Sequence, residues 1–191
     1  MITYLKLRWL LNVWLLCCAF LIVLPSILCA EDWPQAQGSN RDNKSTETGL
    51  LDKWPKEGPT LLWTFRHSGV GYSGPSVVSD RIYIMGGRNS RAELLSIDAA
   101  SGRLIWSKPV NEKIFDFEGN SWGAGPRATP TVAGEMIYAL AGDGELAAFN
   151  VEGELRWQVN MVRDLGGSIS IVDAGEPETY GWGYCWSPLV D

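Results

Sequence analysis

The sequence predicts an all-β fold: a β-propeller of four-stranded antiparallel blades, present as about two blades plus the first strand of a third. Three observations predict it. Glycine (21) and tryptophan (10) are abundant among short apolar runs, which favours strands joined by turns. The chain repeats itself after residue 60: "SGPSVVSDRIYIMGG" (73–87) matches "ATPTVAGEMIYALAG" (128–142), and "AELLSIDAASGRLIWSKPV" matches "GELAAFNVEGELRWQVNM". Each copy also divides into four strand patterns, and a period of this length with four strands per unit describes propeller blades.

In the first copy the strands are expected at 75–78, 81–86, 92–98 and 103–110, and in the second at 130–133, 135–141, 145–150 and 154–160. "SD" at 79–80 and "AG" at 133–134 are tight connections, and "DG" at 143–144 is a hairpin signal because both residues tolerate positive φ. Tight turns can only join antiparallel neighbours. Pro75 and Pro130 lie 55 residues apart, and "CWSPLVD" sets Pro188 58 residues beyond Pro130, opening a third copy. A ring needs roughly four or more blades. The chain is therefore expected to be the N-terminal part of a longer propeller, with assembly of several copies into a ring as the alternative.

The string "SIDAASGRLIW" (96–106) has a structural explanation. Asp98 ends the third strand, where its carboxylate can accept backbone N–H bonds inside the turn. Gly102 takes the left-handed corner. Trp106 lies on the outer strand, where a large ring with one N–H donor can cover the seam to the next blade. Asn150, Gly153 and Trp157 repeat the assignment, so these six residues are expected to dock blades rather than to catalyse, since repeats need neighbours to bury their faces.

These residues resemble the repeat of PQQ-like (pyrroloquinoline-quinone-type) β-propellers, whose usual form is Ala-x-Asp-x-x-Thr-Gly-x-x-x-Trp. Ser96 and Ser101 stand here in place of the Ala and Thr. The head "DWPQAQGSNRDNKSTETGLL" is similar to the opening of exported members, the BamB-like branch, which often carries Trp-Pro-x-Trp-Arg-Gly-Pro; Ala36, Gln37 and Ser39 depart from it. The resemblance implies a propeller. The family includes both non-catalytic assembly proteins and quinoprotein dehydrogenases that use PQQ, Ca²⁺, an Asp base and often an adjacent-cysteine disulfide.

The sequence supplies little of that chemistry. Its adjacent pair, Cys17–Cys18, lies in the leader. Asp116, Glu118 and Asn120 in "FDFEGN" alternate, but they lack the glycine-bounded loop and closing bidentate Glu of a calcium site, and a solvated loop is expected. The single histidine, His67, has too few partners for zinc or a triad. "GVGYSG" and "WGAGP" do not stand between a strand and a helix, so no phosphate loop is expected. They feed the inner strands instead, which brings Tyr72, Trp122, Arg127, Trp182 and Trp186 to one mouth of the central channel. Aromatics with an arginine there could hold a protein, glycan or small ligand. The alternative is that they pack loop on loop. The segment "MVRDLGGSISIVDAGEPETYGWGY" is expected to be an insertion loop, a place where partner contacts gather.

Residues 1–30 are a different material. Lys6 and Arg8 precede the apolar "WLLNVWLLCCAFLIVL", and "PSILCA" leads to acidic "ED". This is a signal peptide pattern with cleavage after Ala30. An uncleaved anchor is the alternative, since Trp9 to Ala30 could cross a bilayer. A lipid site at Cys29 would need a small residue at Leu28. Residues 31–62 are expected to form a lead-in segment and 63–191 the partial propeller. The expected compartment is periplasmic or extracellular, with membrane attachment only through a retained leader. Cleavage leaves Cys185 as the one cysteine, so no internal disulfide is expected. The net charge of −6, or 14 − 22 = −8 without the leader, argues against nucleic acid held by phosphate contacts. No cofactor is expected in this chain; PQQ and Ca²⁺ belong to the alternative of an oxidoreductase whose active residues lie in further blades.

Overall fold

The computed structural model describes residues 30–116, 123–169 and 181–191. Residues 1–29 of the leader, Trp122, Glu118 and Asn120, and residues 170–180 of the expected insertion loop lie outside the described residues. Among the described residues eight strands form: β1 (Ser76–Val78), β2 (Arg81–Arg88), β3 (Arg91–Asp98), β4 (Leu104–Pro109), β5 (Thr131–Ala133), β6 (Met136–Leu140), β7 (Glu145–Asn150) and β8 (Leu155–Asn160). They make two four-stranded sheets in chain order, with every pairing antiparallel. Each sheet is a propeller blade. Strand bounds fall within two residues of those the sequence predicts.

Burial follows position in the blade. The third strand is covered on both faces, so the Ala92–Ile97 run is wholly buried, as a strand sandwiched between layers should be. The fourth strands, β4 and β8, lie outermost and are largely exposed. The core forms where the blades face each other. Tyr83, Met85, Leu94 and Val110 of the first meet Val132, Ile137, Ala139 and Phe149 of the second. Each fully buried large apolar side chain here contributes roughly 1.5–3 kcal/mol of transfer free energy.

Both blades carry an irregularity at the same place. The β3–β4 register shifts between Ser96 and Ile97, and the β7–β8 register shifts between Ala148 and Phe149. The residue just before each shift pairs with a tryptophan, Ser96 with Trp106 and Ala148 with Trp157. A bulge bends the strand and re-aims its side chains. Each indole accordingly approaches the tyrosine two strands away, Trp106 with Tyr83 at 6.0 Å and Trp157 with Tyr138 at 5.9 Å.

The inner edges are tied to each other and to the N-terminal segment. Ser76 Oγ donates to the Pro130 carbonyl, and Thr131 Oγ1 donates to the Pro188 carbonyl at 2.6 Å. One bond thus recurs between consecutive copies. Trp33 exchanges two backbone bonds with Val77 (2.7 and 2.9 Å), Pro34 accepts from the Val132 amide (2.8 Å), and Arg41 donates to the Ser187 carbonyl (3.3 Å). Residues 33–41 thereby cross the inner edges of all three copies.

Candidate functional site

The docking residues come first, because they place the loops. Asp98 Oδ1 accepts from the Ser101 amide at 2.7 Å and from the Ser101 hydroxyl, which holds its carboxyl below the ordinary range. Asn150 Oδ1 accepts from the Glu154 amide at 2.7 Å in the second blade. Gly102 and Gly153 close these turns at φ +68° and +81°, in the left-handed region that favours glycine. Trp106 Nε1 donates to the Val151 carbonyl of the next blade at 3.1 Å, and its ring lies on Gly153. Trp157 is 43% exposed on the outer face.

Sequence reasoning missed a second instance of this seam. Trp63 Nε1 donates to the Ala99 carbonyl at 3.0 Å, and its ring lies on Gly102. Ala99 follows Asp98 as Val151 follows Asn150, so Trp63 meets the first blade as Trp106 meets the second. The match of "LLWTF" to "LIWSK" and "LRWQV" was the available signal.

At the loop face, Arg127 is clamped. Its guanidinium lies 5.0 Å from the Tyr72 ring centroid and 4.7 Å from that of Trp182. Nη1 donates to the Gly125 carbonyl and Nη2 to the Gly123 carbonyl, each at 3.1 Å. Two carbonyls hold the N–H groups of a cation that lies over two rings, and each cation–π contact contributes about 0.5–1 kcal/mol where solvent reaches. Tyr72 and Trp182 remain 55% and 44% exposed. The loops before all three copies thus supply the cluster: Tyr72 from the first, Arg127 from the second and Trp182 from the third. Trp186 stands apart from it, 85% exposed.

Other candidates are dispersed. His67 is exposed and meets the ring of Phe65 edge-on at 6.0 Å. Asp116 and Cys185 are exposed. Among the described residues no group of three or more His, Cys, Asp or Glu side chains stands where it could hold a metal ion.

A family model described as outer membrane protein assembly factor BamB matches residues 55–177. The chain belongs to this family of PQQ-like repeat proteins. Its repeats supply the two blades and their tryptophan seams. No curated protein matches the chain. Among solved structures it is similar to a quinohemoprotein alcohol dehydrogenase from Comamonas testosteroni (22% identity, TM-score 0.45, covering 73% of this chain and 21% of that one). It is also similar to quinohemoprotein alcohol dehydrogenase ADHIIG from Pseudomonas putida HK5 (21% identity, TM-score 0.36, covering 56% and 15%). The chain spans about a fifth or less of the length of these two structures.

Proposed function

We propose that this chain is an exported, non-catalytic PQQ-like repeat protein that works as a binding module, and that its loop face contacts a protein partner. The observation that carries this reading is the Tyr72–Arg127–Trp182 clamp. Interface hot spots are enriched in tryptophan, tyrosine and arginine because such side chains offer large area at low conformational cost. Here the arginine holds two half-exposed rings in place before any partner arrives, which lowers the ordering cost of binding. The family description, an assembly factor, also fits a protein that acts by contact.

The test is capture of partners from an extract of the source cells by the full chain, side by side with Arg127→Ala and Trp182→Ala. A partner held by the wild-type chain and lost by both folded variants supports the reading. Equal capture by all three chains overturns it. The oxidoreductase alternative is tested by adding PQQ and Ca²⁺ and following dye reduction with an alcohol. Turnover above the free cofactor would replace the binding reading.

A further inference from the structure

The compact body that holds both blades begins at Glu31, and its first three residues are each held. Trp33 pairs its backbone with Val77. Asp32 Oδ1 accepts from the Ser79 amide at 2.7 Å, and the Asp32 carbonyl accepts from Ser39 Oγ at 3.1 Å. Glu31 is tied at two points. Its Oε2 accepts from the Thr46 amide and the Thr46 hydroxyl, each at 2.9 Å, which holds this carboxyl below its ordinary value of 4.5. Its backbone nitrogen donates to Glu47 Oε1. Glu31 and the pair Thr46–Glu47 thus clasp each other across the segment between them.

The donor in that last bond is the amide joining Ala30 to Glu31, and it is a weak match for its acceptor. Glu47 is a carboxylate without a cation: among the described residues no lysine or arginine pairs with it. Lys44, three residues away, lies 3.9 Å from Asp42 instead. The other charged groups beside the nitrogen, the carboxylates of Glu31 and Asp32, are also negative. A carboxylate bonds about twice as strongly to a charged donor as neutral partners bond to each other. The leader pattern in the sequence puts its cleavage point at this same bond, after Ala30, and Ala30 is exposed. Hydrolysis there gives the hydroxyl of water to the Ala30 carbonyl carbon and its proton to the Glu31 nitrogen. The proton of the new Ala30 carboxyl completes an α-ammonium, which has three N–H donors as a lysine does.

We infer that Glu47 is the receiving site for the mature N-terminus: once a leader peptidase has hydrolysed the Ala30–Glu31 bond, the α-ammonium of Glu31 pairs with the Glu47 carboxylate. This inference rests on the exported reading given above and adds the place where the new end is kept. The pair fastens the head of residues 33–41, which cross the inner edges of all three copies. An anion in contact favours the charged form and so raises the pKa of the amine. A cut even one residue earlier would leave a neutral amide against Glu47 and carry the charge past it, so the site distinguishes the position of cleavage to a single residue.

The test uses the full chain expressed in an exporting bacterial host, wild type beside Glu47→Gln and Glu112→Gln. The intact mass of the recovered protein gives its first residue, expected to be Glu31. Trace acetylation across pH, read by mass spectrometry of the N-terminal peptide, then gives the pKa of the α-amine. In the wild type it is expected about half a unit above the ordinary range of roughly 7.7–8.0, the size of shift an exposed ion pair supports. Glu47→Gln is expected to return it to that range. Glu112 is an exposed acid just after the first blade, and Glu112→Gln is expected to leave the value raised. A leader still attached would overturn the exported reading and this inference with it. A first residue other than Glu31, an ordinary pKa in the wild type, or a raised pKa that persists in Glu47→Gln would each overturn this inference alone and leave the exported reading standing.

Discussion

The ring of Trp106 rests on the bare Cα of Gly153 in the next blade, and its indole donates to the carbonyl of Val151 in the same turn. The turn therefore offers two things at once: a carbonyl to accept and a flat spot where no Cβ stands. A Cβ built on Gly153 would lie 2.9 Å from the Trp106 ring, whereas one on Gly134 meets nothing within 4 Å. Both glycines have positive φ, +81° and +59°. Gly134→Ala is expected to cost about 1–2 kcal/mol for left-handed backbone alone. Gly153→Ala should add roughly 1–3 kcal/mol for the displaced ring. Urea unfolding of the two variants measures the difference, and equal losses would mean that the seam does not depend on that contact.

The tryptophans themselves should not be equivalent. Trp63 and Trp106 each donate across a seam, while Trp157 is 43% exposed. Phenylalanine keeps an aromatic ring but has no N–H. Trp106→Phe and Trp63→Phe are expected to lose about 1–2 kcal/mol, the value of a hydrogen bond whose acceptor is left behind plus some packing. Trp157→Phe should stay within about 0.5 kcal/mol of wild type, as exposed substitutions do. Thermal melts of the three variants give the ranking.

Glu93 predicts an acid limb to stability. Burial raises its carboxyl, but hydrogen bonds from Ser107 and Asn89, with the charge of Arg88, outweigh this and hold it below the ordinary value of 4.5. A carboxyl lowered by folding contributes stability that is present above the unfolded pKa and lost as pH falls through the folded one. Glu93→Gln is expected to cost roughly 1.5–3 kcal/mol at neutral pH, the range for hydrogen bonds to a charged group. Its deficit should shrink below pH 4.5, where the wild-type carboxyl takes up its proton. Urea midpoints at neutral and acid pH check the sign.

Much of this architecture was legible because each strand leaves a local trace. "SVVSDRIYI" and "TVAGEMIYA" show a short strand, a two-residue turn and a second strand without knowledge of the rest. The seam was legible only in part. Trp106 and Trp157 announce themselves through an upstream Asp or Asn and a Gly. Trp63 has no such turn before it, so only the short match of "LLWTF" to "LIWSK" and "LRWQV" hints at the equivalence that its ring on Gly102 establishes. The buried glutamates were harder still. Glu93 and Glu145 occupy positions where a sequence shows only one acid in an apolar strand, and their burial depends on arginines and amides brought in from turns and neighbouring strands. At the loop face, the spacing of the repeats sufficed to bring Tyr72, Arg127 and Trp182 to one place. It could not separate Trp182 from Trp186, four residues apart on a loop whose course the repeat does not set.

The N-terminal segment gives a last prediction. Its bonds to the blades are mostly backbone to backbone: Trp33 with Val77, and Pro34 with the amide of Val132. Side-chain substitution will therefore barely disturb them, and Arg41→Ala should cost less than about 1 kcal/mol, since one neutral acceptor is released. Deleting residues 31–44 removes the partners themselves and leaves two inner-edge amides open to solvent. Hydrogen exchange separates the cases. In the whole chain the Val77 and Val132 amides should be protected almost as well as those of the blade interiors. In the deletion they should exchange at the rate of an open edge, while the Leu94 and Ala147 amides, inside β3 and β7, stay slow. Loss of protection at all four would show that the segment is needed for folding rather than laid over finished blades. Unchanged protection at Val77 and Val132 would show that it does not cover the inner edge in solution.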